Sequence, residues 1–349
     1  MDGLALQSSL HRRRVGGGLL SAFCLPDFCL LPVEENPHNG ARPRCRLKLI
    51  TTSCYRRGPM RGPCYGACPP MRKIAFFLVL LTTINSNAFA TWSVIAVDRK
   101  TGQVVIASAT CVPQQAFAGF PAKGLKDVQA IIIPGVGVAA AQANVDRTRQ
   151  LQKLIADELN RGTDPARIID MLQAQDPNHA SRQYGIVDLK GRAAGYSGAA
   201  NGKQSLDRQG RVERSDIYFS IQGNILTGDD VVEDALKAFN LAKGSLADRV
   251  MAAMEAADAR GGDRRCNCNT KPDPPAQCDN KTAHVAYLVA ANKSDKIGEG
   301  LNDGGYYLEI QVTDQDIRPD ENDNPVKTLR LRYDRWVKER ARRGGSKSH

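Results

Sequence analysis

Thr91 directly follows Ala88-Phe89-Ala90, a small-x-small arrangement after which signal peptidase cuts. A cut there leaves a hydroxyl nucleophile and a free α-amine on one residue. An α-amine titrates at about 7.7–8.0, so its neutral form can take the hydroxyl proton directly or through a water. An N-terminal threonine is therefore nucleophile and base together, a minimal variant of triad logic. Asn224, in Gln222-Gly223-Asn224, stands where a strand gives way to a loop before a helix. A side-chain amide and main-chain N–H groups can form an oxyanion hole there; an asparagine that bonds its own backbone in a turn fits the same place. Asp263 and Arg264 follow the helix stop Gly261-Gly262. Asp263 is a candidate to orient the Thr91 amine and Arg264 to bind a substrate carboxylate, with a structural ion pair bracing the helix exit as the alternative. Gln142 and Asn144, just past Val138-Ala139-Ala140-Ala141, are further substrate-binding candidates. Lys123 and Lys126 have no spacing that aims them at Thr91 and stay outside the site.

Two clusters read as metal sites at first sight. Cys266-x-Cys268 with Cys278 and His284 offers zinc donors, but the spacing matches no standard structural site and an oxidising compartment favours disulfides. Asp314, Asp316, Asp320, Glu321 and Asp323 lack the order and the glycine of an EF-hand, which favours a solvated turn over calcium. The expectation is a protein with no metal and no cofactor. Cys266, Cys268 and Cys278 are expected to be oxidised, one bridge closing the insertion from Arg265 to Thr282 and Cys111 taking the remaining cysteine.

Upstream, Met71-Arg72-Lys73, the apolar run Ile74 to Ile84 and Ala88/Ala90 have the anatomy of an export signal over residues 71–90. The run is too short to span a bilayer, and no later stretch is long and apolar enough. A signal at that place implies that residues 1–70, with six of the ten cysteines, precede the natural start; a cysteine-rich prodomain is the alternative. The net charge of +11 is composed of +6 from residues 1–70, +2 from Arg72 and Lys73, and +4 from Lys338 to His349, leaving −1 on the body. The high pI is thus no argument for nucleic-acid binding.

The elements that must position Thr91 alternate in type. Thr91 to Val97 and Gln103 to Ala109 form a hairpin, and Ala130 to Ala141 two buried strands folded about Pro134-Gly135. A helix with Leu151, Leu154, Ile155 and Leu159 on one face stops at Gly162, and Asp164-Pro165 starts another. Strands return at Tyr184 to Leu189 and Arg192 to Tyr196. A second helix pair covers Asp230 to Leu241 and Ser245 to Ala259, the latter opened by a Ser245-x-x-Asp248 capping box. His284 to Ala291, Tyr306 to Thr313 and Leu329 to Tyr333 read as closing strands. This is an α+β pattern, best satisfied by a four-layer αββα sandwich in which two sheets pack face to face with a helix pair outside each.

The segments TWSVIAVDRKTGQVVIASATC, GVGVAAAQANVD, RQYGIVDLKGRAAGYSG, IQGNILTG and DARGGDRR, in that order, resemble the bacterial family named domain of unknown function 1028. The resemblance covers roughly Thr91 to Ala291 and implies a fold of the N-terminal-nucleophile (Ntn) hydrolase class, with Thr91 exposed by signal peptidase. It brings no substrate. The chain departs from the family pattern at Ser108 to Lys126 and in the cysteine-bearing insertion Cys266 to Thr282. The expected organisation is a signal at 71–90, an Ntn-like domain at 91–291, a β extension at 292–337 and a basic disordered tail at 338–349. The expected function is an exported, periplasmic or extracellular hydrolase of a small amide or peptide substrate, with no nucleic acid and no membrane span; homo-oligomerisation stays open. The alternative is an inactive exported binding or structural module on the same fold.

Overall fold

The computed structural model describes residues 91–345 apart from 121, and two dipeptides upstream. The chain divides into two units, Met1–Met71 and Arg72–His349. In the first, Cys24–Leu25 pairs antiparallel with Phe28–Cys29. The export signal at 71–90 and the rest of residues 1–70 lie outside the described residues.

In the second unit, β1 (Thr91–Asp98) and β2 (Gln103–Thr110) form the expected hairpin, turning through Gly102 at φ +74°. After α1 (Leu125–Gln129) come β3 (Ala130–Ile133) and β4 (Gly137–Ala143). Helix α2 (Gln150–Arg161) ends on left-handed Gly162, and α3 (Pro165–Gln175) begins where the Asp164 carboxylate accepts from Ala166 N at 2.9 Å. Strands β5 (Arg182–Asp188), β6 (Ala193–Ser197), β7 (Leu206–Arg211) and β8 (Ile217–Asn224) follow. Helix α4 (Asp230–Leu241) precedes α5 (Leu246–Ala259), whose Ser245–Asp248 capping box is formed in both directions. The chain closes with β9 (Val285–Ala291), β10 (Leu308–Thr313) and α6 (Pro325–Gly345).

The ladders between these strands are all antiparallel. One sheet has the order β10-β9-β2-β1-β8-β7 and the other β3-β4-β5-β6, so β1 is internal to the larger sheet. Alternation along β1 divides its side chains: Trp92, Val94 and Ala96 join an apolar cluster with α4, α5 and α6, whereas Ile95 and Val97 join one shared with the smaller sheet. A third cluster joins the smaller sheet to Ile155, Leu159, Ile168 and Leu172 of α2 and α3. The protein is therefore a mixed α/β fold with two antiparallel sheets and helices packed against them.

Leu329 to Tyr333 is not a strand but part of α6, which also takes in the first residues of the expected disordered tail. Leu329, Leu331 and Tyr333 alternate, but Val326, Leu329 and Tyr333 are the buried set while Leu331 is 41% exposed, a spacing of three and four. Asn324 Oδ1 accepts from Val326 N at 3.0 Å ahead of Pro325, the same start signal as Asp164-Pro165. Among the described residues, no helix is long and apolar enough to cross a membrane.

Candidate functional site

Thr91 and Ser93 lie on the same face of β1 as Ile95 and Val97, so both point into the space between the sheets. The same holds for Ser108 and Thr110 on β2, which share a face with Val104 and Ile106, and for Ser220, Gln222 and Asn224 on β8. One end of the intersheet space is thus polar and the other apolar. Register places Thr91 opposite Thr110 on one side and Asn224 on the other. Thr91 N donates to Asn224 Oδ1 at 3.2 Å, and Thr91 Oγ1 donates to Thr110 Oγ1 at 3.4 Å. Thr91 is 1% exposed.

Gln142 closes this group from the smaller sheet. Its Nε2 donates to Thr91 O at 3.1 Å and to Gln183 Oε1 at 2.7 Å, and its Oε1 accepts from Ser93 Oγ and Gln129 Nε2, each at 2.6 Å. The network runs on through Gln222 Nε2 to Ser93 Oγ, Ser220 Oγ to Gln222 Oε1 and Tyr287 OH to Gln129 Oε1. Buried amides and hydroxyls are costly unless paired, and pairing them in a low-dielectric interior rigidifies the set. Gly185 makes room: a Cβ there would lie 2.4 Å from Gln222 Oε1.

Asp263 is fully buried. Its carboxylate accepts from Cys111 N at 2.9 Å and from Arg265 N, Nε and Nη2 at 3.1, 3.0 and 2.7 Å. Burial pushes its pKa up, against the pull of the Arg265 guanidinium. It thereby braces the residue after Thr110, while the acceptor beside the Thr91 nitrogen is Asn224. Gly262 precedes it at φ +48°, with a Cβ position 2.5 Å from the Trp92 ring. Arg264 is exposed and donates to Gln204 Oε1 at 3.3 Å. Asn144 bonds Ser181, through its N to the carbonyl and its Nδ2 to Oγ at 3.2 Å. The structure therefore assembles Thr91, Asn224 and Gln142, with the Asp263 carboxylate on Cys111, one residue beyond Thr110. Arg264 and Asn144 have their own partners. Sequence reading missed Thr110, Ser93, Gln183, Gln222 and Arg265; the first four are announced by polar residues continuing a period-two apolar face.

The cavity lined by Gln142, Asn144, Asp146, Arg182 and Tyr184 measures ≈ 10 Å³, room for about one water. A larger open groove of ≈ 550 Å³ runs between β10 and α6 past Glu309, Arg332 and Trp336, and none of the Thr91 group lines it.

The four cysteines after Thr91 pair as Cys111–Cys266 and Cys268–Cys278, the expected arrangement. His284 stands apart from Cys268 and Cys278 as a ligand set, beside the first bridge. Burial, aided by Lys281 and Arg265, pushes its imidazole down to about 4. The acidic run is not a simple solvated turn: buried Asp323 pairs with buried Lys281 at 2.8 Å, and Glu321 accepts from Arg318 and Arg332.

The model of DUF1028, a family of unknown function, matches residues 91–270. The chain belongs to this family. DUF1028 thus spans β1 through the Asp263 turn, including every residue of the Thr91 group. The crystal structure of a DUF1028 protein from Silicibacter pomeroyi is similar at a TM-score of 0.50 and 19% identity, over 70% of this chain and 88% of that one. At that identity the likeness bears on the fold alone. Among curated proteins, none matches the chain.

Proposed function

We propose that the protein is an exported N-terminal-nucleophile hydrolase of an amide or peptide bond, with Thr91 as nucleophile once the chain before it is removed. The observation that carries this reading is the placing of Thr91 at the first position of an internal strand, with Asn224 Oδ1 3.2 Å from its nitrogen. The three apolar clusters, helix on sheet, sheet on sheet and sheet on helix, support the αββα arrangement of that class. Two disulfides and the lack of a spanning helix among the described residues are compatible with export.

In this mechanism the Thr91 hydroxyl attacks the substrate carbonyl and its proton passes to the α-amine, which Asn224 Oδ1 holds. The Asn224 amide N–H and nearby main-chain donors receive the negative charge that develops on the carbonyl oxygen. The protonated amine then gives its proton to the leaving nitrogen, and water attacks the resulting ester with the amine as base. Gln142 fixes the Thr91 carbonyl and with it the direction of the side chain. Arg264, exposed at the end of the same motif, is the candidate for a substrate carboxylate.

The test is chemical reading of the mature N-terminus followed by labelling with an electrophilic amide mimic. The expected result is a chain beginning at Thr91 whose label sits on that residue. A chain beginning elsewhere, or one beginning at Thr91 that stays unlabelled and hydrolyses no amide, leaves the binding-module reading in its place.

A further inference from the structure

Behind the Thr110 end of β2, three potential ligands converge outside the Thr91 group. One ligand atom each from Cys111, Cys266 and His284 lies within 4.8 Å of the other two. His284 is fully buried, and neither ring nitrogen has a hydrogen-bond partner among the described residues. An imidazole buried without partners is costly, and polar atoms left so in a folded interior call for a partner such as a water, a ligand or an ion. Asp314 Oδ2 stands 3.8 Å from His284 Nδ1, the place of the carboxylate that steadies metal-bound imidazoles.

In the disulfide the two sulfurs carry no charge and hold no cation. We propose that opening the Cys111–Cys266 bridge converts this corner into a site for a thiophilic divalent cation such as Zn²⁺, bound by the two thiolates and the His284 imidazole. This goes beyond the hydrolase reading and uses none of its chemistry. The backbone is held independently of the S–S bond. Cys111 N donates to Asp263 Oδ2, Cys266 N donates to Asp263 O at 3.1 Å, and His284 N donates to Thr110 O at 2.7 Å. Ligand atoms of a tetrahedral zinc are about 3.5–3.8 Å apart, so side-chain rotation of about 1 Å closes the set. Water takes the fourth position.

A dithiol reductant can carry out the redox step. One of its thiolates attacks Cys266, which is less buried than Cys111, and expels the Cys111 thiolate; its second thiol resolves the mixed disulfide and frees the Cys266 thiolate. The reductant leaves as a disulfide, and metal binding releases the remaining thiol protons.

The test uses the full chain with Cys24→Ser, Cys29→Ser, Cys45→Ser, Cys54→Ser, Cys64→Ser and Cys68→Ser, so that reduction supplies only the four thiols of the second unit. Co²⁺ is titrated anaerobically before and after reduction with a phosphine, which does not compete as a thiol. The expected result is no thiolate-to-metal absorption in the oxidised chain and one tetrahedral Co²⁺ after reduction, displaced by Zn²⁺. Cys268→Ser/Cys278→Ser should keep that site, and His284→Ala should weaken it at least about tenfold. X-ray absorption of the Zn²⁺ form of the reduced parent chain, which needs no variant to fold, should show two sulfurs and at least one imidazole in the metal shell. Failure of the reduced chain to bind, loss of its near-ultraviolet circular dichroism on reduction, binding abolished by Cys268→Ser/Cys278→Ser, or a shell without imidazole overturns the proposal.

Discussion

The main-chain nitrogen of Thr91 donates to Asn224 Oδ1 at 3.2 Å, across two strands whose register sets these residues opposite each other. Asn224→Ala should lower kcat by about 10²–10³, the usual cost of an oxyanion donor. Asn224→Asp keeps the acceptor but adds a negative charge beside the amine and so raises the amine's pKa. Its activity should therefore appear at higher pH than that of the parent, which a pH–rate profile reads directly.

A chain retaining one residue before Thr91 should lose activity although the hydroxyl is intact, because an amide nitrogen accepts no proton. The expected loss is at least about 10²–10⁴. Thr91→Ser, with the same two groups and a freer χ1, should keep part of the rate. Equal rates for the extended and processed forms would remove the amine from the mechanism.

Gly185 faces Gln222 Oε1 at a distance that leaves no room for a methyl group. Gly185→Ala should destabilise by about 1–3 kcal/mol in urea denaturation, as overpacking in a tight interior does. Adding Gln222→Ser should recover part of that loss. A single variant as stable as the parent would mean that the intersheet network has slack.

Glu321 has its side chain fully buried among Arg318, Arg332 and Arg335. Burial by itself would raise its pKa, but the hydrogen bonds from Arg332 and Arg318 prevail and hold it at about 2, against 4.5 in the unfolded chain. The unfolded chain therefore binds more protons between these values, so the contribution is present above pH 4.5 and is lost as pH falls towards 2. Glu321→Gln should lower Tm at pH 7, with the gap to the parent narrowing below pH 4.5. A gap that stays constant across this range would contradict the assignment.

The two disulfides close loops of very different length, with sequence separations of 155 and 10. On chain-entropy grounds Cys111→Ser/Cys266→Ser should cost about 5 kcal/mol and Cys268→Ser/Cys278→Ser about 3 kcal/mol. Comparing unfolding midpoints of the two double variants checks the order.

Local signals were legible where one short stretch of chain decides the outcome. Asp164-Pro165, Gly162 and the Ser245–Asp248 box act within a single helical turn, so their helices begin and end as the residues indicate. Asn324-Pro325 carries the same information, yet the alternation of Leu329, Leu331 and Tyr333 competes with it. The contest is resolved by the apolar face of α5 and the six-stranded sheet, which takes Val326, Leu329 and Tyr333. The disulfide partners could be expected because an insertion poor in apolar residues needs cross-links and only four cysteines follow Thr91.

By itself the sequence determined the family and the α+β alternation, and it singled out Thr91 as a candidate, since each rests on residue types and short spacings. It also contained the polar ends of five strand faces, as in Thr91-x-Ser93 and Ser220-x-Gln222-x-Asn224, but period two only says that such residues share a side of their own strand. Only the tertiary structure decided that these sides meet in one intersheet space and that Gln142 crosses from the other sheet to the Thr91 carbonyl. It likewise gave the Asp263 carboxylate to Cys111 and Arg265 and set Asn224 beside the Thr91 nitrogen. The reason is that strand order and register are set by the burial of apolar faces far apart in the chain, and a hydrogen-bond partner is fixed only once register is.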